Sequence, residues 1–313
     1  MNEKGISIIG SYKNVKSIEK VANIIFLICG FLAVLAVFAI SFYMIINGTP
    51  AIFEVGLKDI LFGTIWKPNA ADPSYGILYF ILTSILGTFL AILIGVPIGV
   101  MTAIFLAETA PESLKKIVKP AVELLAGIPS VIYGLLGIMV INPLIYKLER
   151  LVYQNSPEHE FTGGSNLISA VLVLAIMILP TVINISEAAL KAVPTHLKQA
   201  SLALGATHIQ TIFKVILPAA KSGIVTAIVL GVGRAIGEAM AISLVAGNGA
   251  NFPLPFNSVR FLTTAVVSEM SYAADTHKKV LFTIGLVLFL FIIIINLVLN
   301  QIMKGGKKNG KSK

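Results

Sequence analysis

Two oppositely charged side chains lie near the centre of a long apolar stretch, Gly223 to Ala246. Arg234 and Glu238 are four residues apart, a spacing that places both on one face of a continuous helix. A charged side chain in mid-membrane costs about 2.5–3.5 kcal/mol on insertion scales, so the position is expected to serve a function. A guanidinium offers a planar fork of donors to an oxyanion and stays charged when poorly solvated. We therefore expect Arg234 and Glu238 to line a passage for an anion.

Other residues that could do chemistry lack the partners that a catalytic or metal site needs. His196 and His208 have no second ligand at metal-binding spacing. No set of Ser, His and carboxylate residues resembles the arrangement of a catalytic triad. We expect no catalytic residue, no metal and no cofactor in this chain, and a role other than that of an enzyme.

The spacing of a nucleotide-binding P-loop occurs near the C-terminus, in Gly305, Gly310, Lys311 and Ser312. A P-loop requires a strand before the glycines and a helix after the lysine, so that backbone N–H groups point at phosphates. Here an apolar stretch precedes the match and one residue follows it. We expect no nucleotide site, and we interpret 304–313 as a basic cytoplasmic tail near anionic lipid.

The composition places the chain in a membrane. Of its 313 residues 56% are hydrophobic and 12% are charged, whereas soluble proteins carry about 25% charged residues. The net charge of +9 could suggest nucleic acid as a partner. The cations instead cluster at both ends and in alternate loops, a pattern typical of membrane orientation. We therefore expect membrane lipid and no nucleic acid around this chain.

Six apolar stretches are long enough to span a bilayer. They cover about 21–46, 76–107, 124–145, 166–185, 223–246 and 280–303. Lysines concentrate at both termini and in the polar segments after the second and fourth stretches, which indicates that these parts are cytoplasmic. The sequence predicts an all-α polytopic protein of the cell membrane with six transmembrane helices. Its parts are 1–75 (N-terminus, first span and outer loop), the core 76–303, and the tail.

The polar segment 187–218 between the fourth and fifth spans has a spacing of its own. In it Gln199-Ala200-Ser201 is followed by Gly205 and then by Val215, Leu217 and Pro218. This pattern resembles the EAA loop of ABC-transporter permeases, which reads E-A-A, three residues, Gly, nine residues and I-x-L-P; the departures are at 199, 201 and 215. Two short helices with a turn at the glycine are expected to present small residues and an apolar ridge to a partner's groove. The proline can begin the next helix.

Four further stretches are similar to the permeases of phosphate-specific ABC importers, and the outer one among them matches the PstC-type subunit rather than its PstA-type partner. They are Lys119 to Gly134, Ser186 to Pro194, Gly233 to Ala241 (with Ala239 for a usual Thr), and the outer segment with Phe62-Gly63-Thr64, Trp66, Pro68 and Tyr75-Gly76-Ile77. The resemblance extends over nearly the whole chain. It implies the type I ABC importer fold and the translocation of inorganic phosphate. The implied partners are a PstA-type second permease, a dimer of ATPase subunits and an extracytoplasmic phosphate-binding protein.

The sequence is also compatible with other functions. The chain could be an ABC permease for another oxyanion, such as molybdate or sulfate, or a secondary transporter that acts alone, although no repeated half is visible. Phosphate near neutral pH carries a proton that Glu238 could accept in a hydrogen bond, and sulfate has none. Arg234 and Glu238 could instead merely neutralise each other inside the helix bundle. The last two interpretations differ in whether Glu238→Gln weakens discrimination against sulfate.

Overall fold

The computed structural model describes residues 12–156 and 159–308. Its helices are α1 (Tyr12–Ala51), α2 (Leu57–Phe62), α3 (Leu78–Ile104), α4 (Glu112–Gly127), α5 (Ser130–Leu136), α6 (Asn142–Val152), α7 (Leu167–Lys191), α8 (Thr195–Ala203), α9 (His208–Thr211), α10 (Leu217–Ala219), α11 (Lys221–Gly237), α12 (Met240–Val245), α13 (Leu262–Glu269) and α14 (Asp275–Lys308). Single π-helical turns at Ile52–Gly56, Phe105–Thr109, Gly137–Ile141 and Ile212–Ile216 extend or join them. Strands β1 (Trp66–Lys67) and β2 (Ser74–Tyr75) pair antiparallel as a short hairpin.

The membrane-spanning elements agree with the six predicted spans. Five helical stretches are long and apolar enough to cross a bilayer: Glu19–Phe62, Leu78–Thr109, Ser130–Val152, Leu167–Lys191 and Asp275–Val298. A sixth candidate is the bent pair of helices His208–Ala219 and Lys221–Gly237, which meet at 69°. The all-helical, polytopic class predicted from the sequence is confirmed, with the fifth span beginning at this bend.

The centre of the molecule is the packing of α3 against α7. Two glycines on α3, one turn apart, allow the close approach. A Cβ atom on Gly95 would lie 2.7 Å from Ile178 Cδ1, and one on Gly99 would lie 2.8 Å from Val182 Cγ1. Small residues at such contacts let the backbone of one membrane helix pack against the side chains of another, which increases the dispersion attraction between the two helices. The pair α3–α7 therefore forms the centre against which α4, α5 and α11 pack, while α1 packs on α14.

The predicted third span, 124–145, is wrong at its start. Residues 112–127 form the separate helix α4, and the span begins at Ser130. The break lies at Ile128 and Pro129, whose backbones are extended, because the residue before a proline is pushed out of the helical region. Val122 packs α4 against Leu106 and Ile183, and Lys119 Nζ lies 3.9 Å from Glu187 Oε1 of α7, so α4 lies alongside the bundle.

A buried helix lies within the predicted outer segment 248–279. The eight residues of α13 pack against α14 and α3, with Leu262 and Ala265 fully buried. The backbone N–H of Leu262 donates to Ser84 Oγ of α3 at 2.9 Å. Eight residues are too few to give the hydropathy signal of a span, which is why the sequence reads as a loop here.

A buried carboxylate fastens the hairpin to the helices beside it. Glu269, 5% exposed, accepts hydrogen bonds from Trp66 Nε1 (3.2 Å), His277 Nε2 (2.8 Å) and Arg260 Nη1. The three donors come from the hairpin, from the start of α14 and from the segment before α13. We call these four residues the outer carboxylate network. Burial also raises the pKa of Tyr272 nearby, and the charge of Glu269 raises it further.

The C-terminal P-loop spacing falls partly on a helix. Helix α14 continues to Lys308 and contains Gly305, where a P-loop would need a turn after a strand. Gly310, Lys311 and Ser312 lie outside the described residues, as do the end of the predicted basic tail and residues 1–11 of the predicted cytoplasmic N-terminus.

Candidate anion passage and coupling surface

The fifth span is not one continuous helix, so the expectation that Arg234 and Glu238 share a helix face is wrong. Helix α11 ends at Gly237, and Glu238 has an extended backbone (φ −73°, ψ 128°). Helix α12 begins two residues later, at Met240. The glycines at 233 and 237 lower the helical stability of this stretch, and the break ends the continuous helix on which both charged residues were expected to lie.

Arg234 is a half-buried cation in the last turn of α11. Its Nη1 donates to Thr181 Oγ1 of α7 at 3.5 Å, a long hydrogen bond. No carboxylate of the described residues lies within 4.0 Å of its nitrogens. Arg234 and Glu238 therefore form no direct ion pair with each other. The guanidinium keeps most of its donors for another acceptor, which an oxyanion can supply.

Glu238 stabilises the break itself. Its Oε1 accepts a hydrogen bond from the backbone N–H of Ala241 at 2.9 Å, which satisfies one of the free donors at the start of α12. Its backbone carbonyl accepts from Thr263 Oγ1 of α13 at 2.8 Å. Oε2 makes no hydrogen bond to the described residues. Glu238 thus has one carboxylate oxygen engaged in structure and one that remains available.

The polar segment between α7 and α11 contains the two short helices that its spacing predicts. Helix α8 ends before Gly205, whose φ of +86° is the left-handed conformation that favours glycine. Thr207 then caps α9 reciprocally with Gln210, at 3.2 and 3.0 Å. A π turn continues α9 into α10, where Pro218 occupies the first turn.

The predicted coupling residues lie mostly on one open surface. Gln199, Ala200 and Gly205 are exposed, and the neighbouring Leu204 is 90% exposed. Ser201 is half-buried, since its Oγ shares a hydrogen bond of 3.0 Å with Thr211 Oγ1. Leu202 and Ile209 of the same polar segment are exposed as well, at 40% and 68%, and several exposed apolar side chains together are typical of an interaction surface. Leu217 and Pro218 lie beyond the second short helix, next to the bend into α11.

Sequence reasoning missed three residues that this site uses. Thr181 contacts Arg234, Thr263 holds the break at Glu238, and Glu108 pairs with Lys198 of α8 at 2.5 Å. Threonines in apolar runs carry no pattern of their own. Glu108 had a signal, because a carboxylate at the end of a span is costly to leave unpaired. Among the described residues no three His, Cys, Asp or Glu side chains lie close enough together to hold a metal ion.

Known proteins resemble the chain over most of its length. Residues 95–305 match the family described as binding-protein-dependent transport system inner membrane component. The chain is 38% identical over 297 residues to the probable ABC transporter permease protein YqgH of Bacillus subtilis, covering 92% of this chain and 93% of that protein. It is 35% identical to the phosphate transport system permease protein PstC of Pasteurella multocida (80% and 82% covered) and 34% identical to that of Haemophilus influenzae (88% and 89%).

Solved structures show the same fold at lower identity. A bacterial ABC transporter involved in the import of the acidic polysaccharide alginate matches with a TM-score of 0.63 and 16% identity, covering 92% of this chain and 98% of that one. An inward-facing MetNI methionine ABC transporter matches with a TM-score of 0.56 and 22% identity, covering 74% and 95%. At these identities the likeness concerns the fold. The chain belongs to the family of binding-protein-dependent transport system inner membrane components, the membrane-spanning permeases of ABC transporters.

Proposed function

We propose that this chain is the permease subunit of an ATP-driven ABC importer that translocates inorganic phosphate across the cell membrane. Relatives that cover most of the chain are named as phosphate transport permeases. The observation that carries the proposal is Arg234, a cation in a membrane-spanning helix with no carboxylate beside it among the described residues. Such a group must be compensated, and a passing anion compensates it.

The two charged residues have different tasks in this proposal. Arg234 attracts the anion through its fork of N–H donors, with the Thr181 hydroxyl beside it as a further polar group. The free Oε2 of Glu238 accepts a hydrogen bond from the proton that phosphate still carries near neutral pH. A fully deprotonated anion such as sulfate offers no proton and meets only repulsion there. Discrimination against sulfate then follows because sulfate leaves the Glu238 carboxylate without a hydrogen-bond donor.

The partners follow from the exposed surfaces and from the family. A second, PstA-type permease completes the passage, and an extracytoplasmic phosphate-binding protein delivers the anion. One subunit of an ATPase dimer docks on the surface formed by Gln199, Ala200, Leu204 and Gly205, as a helix in a groove. Both termini are cytoplasmic, in keeping with their lysines.

Transport in this scheme needs no covalent step in the chain. ATPase closure displaces the coupling helices, the spans rock, and access to Arg234 alternates between the two sides. The anion moves because its affinity differs between the two states. ATP hydrolysis is carried out by the partner subunits, so the chain itself is a non-catalytic subunit.

The test is uptake of labelled phosphate by proteoliposomes that contain the complete complex, with and without enclosed ATP. We expect uptake that requires both ATP and the binding protein, and stronger competition by arsenate, which also carries a proton, than by sulfate or molybdate. Uptake that continues without ATP would identify a secondary transporter. Preferred uptake of sulfate or molybdate would identify a permease for another oxyanion.

Glu238→Gln tests the selectivity step. Glutamine keeps an Oε1 that can accept from the Ala241 N–H, so the break is retained while the charge is lost. We expect normal insertion, lower phosphate uptake and weaker discrimination against sulfate. A normally inserted variant with unchanged uptake and unchanged competition by sulfate would refute the role of Glu238.

A further inference from the structure

Helix α8 is held to the rest of the chain by few contacts. None of its residues is buried. Its side chains make two hydrogen bonds within the described part of the chain: Ser201 to Thr211 inside the same polar segment, and Lys198 Nζ to Glu108 Oε2 at 2.5 Å. Of the ion pairs formed by described residues, Lys198–Glu108 alone joins α8 to a membrane-spanning helix.

The second half of the same polar segment is attached differently. Ile212 and Ile216 are buried in an apolar cluster with Ala103 and Ile104 of α3 and Leu190 of α7. These side chains move with the spans because their contacts are made on several sides. Helix α8 has no apolar anchor of this kind, so a displacement of α8 reaches the spans through its chain connections at residues 192–194 and at Gly205, through the Ser201–Thr211 hydrogen bond, or directly through Lys198.

Glu108 is well placed to receive such a displacement. It lies in the π turn that extends α3, its side chain is 9% exposed, and Lys198 is its hydrogen-bonding partner among the described residues. Helix α3 packs on Val182 of α7 through Gly99. Gly231 of α11 approaches the same valine, since a Cβ atom on Gly231 would lie 3.1 Å from Val182 Cγ2. Gly231 lies one turn before Arg234. A movement of the Glu108 end of α3 is therefore passed through direct packing to the helix that carries the cation.

We propose that Lys198 is a positioning residue that transmits the movement of α8 to the second span through its ion pair with Glu108. The inference rests on the proposed function, because α8 moves only if an ATPase docks on it. A carboxylate that is nearly buried and has one cationic partner is strongly biased toward keeping that partner. The pair therefore ties α8 directly to the second span, a link that the chain connections of α8 at residues 192–194 and at Gly205 do not make.

The test uses the complete reconstituted complex and measures ATP hydrolysis and phosphate uptake in the same vesicles. The variants are Lys198→Met, Glu108→Gln and the reversed pair Lys198→Glu with Glu108→Lys. Lys214→Met is the matched control, since Lys214 lies in the same polar segment, is exposed and forms no ion pair with the described residues. Copurification of the ATPase is measured for each.

We expect both single variants to keep the ATPase bound and hydrolysing, while phosphate transported per ATP falls about fivefold or more, the lower end of ordinary coupling energies. The reversed pair restores most of the ratio, which a purely steric role would not allow. Lys214→Met behaves as the parent does.

Three outcomes would overturn the inference. Lys198→Met could keep the parent's ratio, the reversed pair could transport no better than the single variants, or the ATPase could fail to copurify, which would make Lys198 an attachment point for that subunit. If the parent complex shows no ATP-dependent phosphate uptake, the proposed function fails first. A parent that transports while Lys198→Met is unchanged refutes the tie alone.

Discussion

Glu269 and Glu108 are both nearly buried carboxylates, and they lie at opposite ends of the second span. Glu269, beside the hairpin that precedes α3, accepts from Trp66, Arg260 and His277. Glu108, just after the end of α3, accepts from Lys198. A carboxylate with three donors on three elements fixes those elements relative to one another. A carboxylate with one flexible lysine ties two elements but leaves their angle free to change.

The surroundings of the two carboxylates, at the two ends of the second span, differ in the same way. At the hairpin end, aromatic rings enclose the outer carboxylate network, with Trp66 packed against Tyr75 at 6.0 Å and against Phe80 at 5.4 Å between ring centroids. At the other end, helix α8 buries none of its side chains. One end is thus held by many contacts and the other by few, and local stability should differ accordingly.

The largest expected effect is at the hairpin end. Glu269→Ala leaves Arg260, which is mostly buried, without its counter-ion and should destabilise the protein by about 3–5 kcal/mol. Thermal unfolding of the purified protein in detergent measures this. The control is Glu269→Met combined with Arg260→Met, which should cost less than Glu269→Ala because no buried charge is left unpaired. If the parent and Glu269→Ala were equally stable, Glu269 would not be what fixes the hairpin end.

A smaller effect is expected in the coupling segment. Ser201→Ala removes the hydroxyl that bonds fully buried Thr211, and an unsatisfied buried hydroxyl costs about 1–3 kcal/mol. The loss should appear as faster amide hydrogen exchange in α8 and α9, with the outer carboxylate network unaffected. Adding Thr211→Val should restore protection. Exchange that rises equally at the hairpin would show that the two ends are one cooperative unit.

The smallest effect is expected at an exposed pair on α4. The Lys115 ammonium, 3.0 Å away, holds the pKa of the Glu112 carboxyl below its usual value of 4.5. A lowered folded-state pKa adds stability above the unfolded pKa and loses it as the pH falls through the folded value. Because Glu112 is 79% exposed, solvent screens the pair. Glu112→Gln should therefore leave the unfolding temperature unchanged at pH 7, and a loss as large as that of Glu269→Ala would contradict this.

Hydrophobic patterning predicts the spans because a bilayer demands about 20 consecutive apolar residues. It misplaces the start of the third span because residues 124–127, at the end of α4, are as apolar as the span that follows. Only the extended backbone at Ile128 and Pro129 separates α4 from that span. It misses α13 because eight buried residues between loops resemble an outer segment. Spacing predicts Gly205, since a turn that favours positive φ selects glycine.

The candidate site was likewise predictable from the sequence only in part. Arg234 can be singled out from the sequence because a cation inside an apolar run is costly. The break after Gly237 cannot, because it depends on contacts distant in sequence, such as Thr263 with the Glu238 carbonyl. The tie between Glu108 and Lys198 joins residues 90 positions apart, and local patterns carry no record of such a pair. The sequence therefore predicts which residue types belong to the site, but not which residues they contact.

The most direct measurement is phosphate uptake by the complete complex carrying Arg234→Gln, after membrane insertion and subunit assembly are verified. Uptake should fall about tenfold or more, since a hydrogen bond to a charged group is worth about 1.5–3 kcal/mol. Arg150→Gln is the control, an exposed arginine 6.0 Å from the Tyr146 ring, and should transport as the parent does. If a normally assembled Arg234→Gln complex takes up phosphate at the parent's rate, the cation does not lie on the anion's route and the account is contradicted.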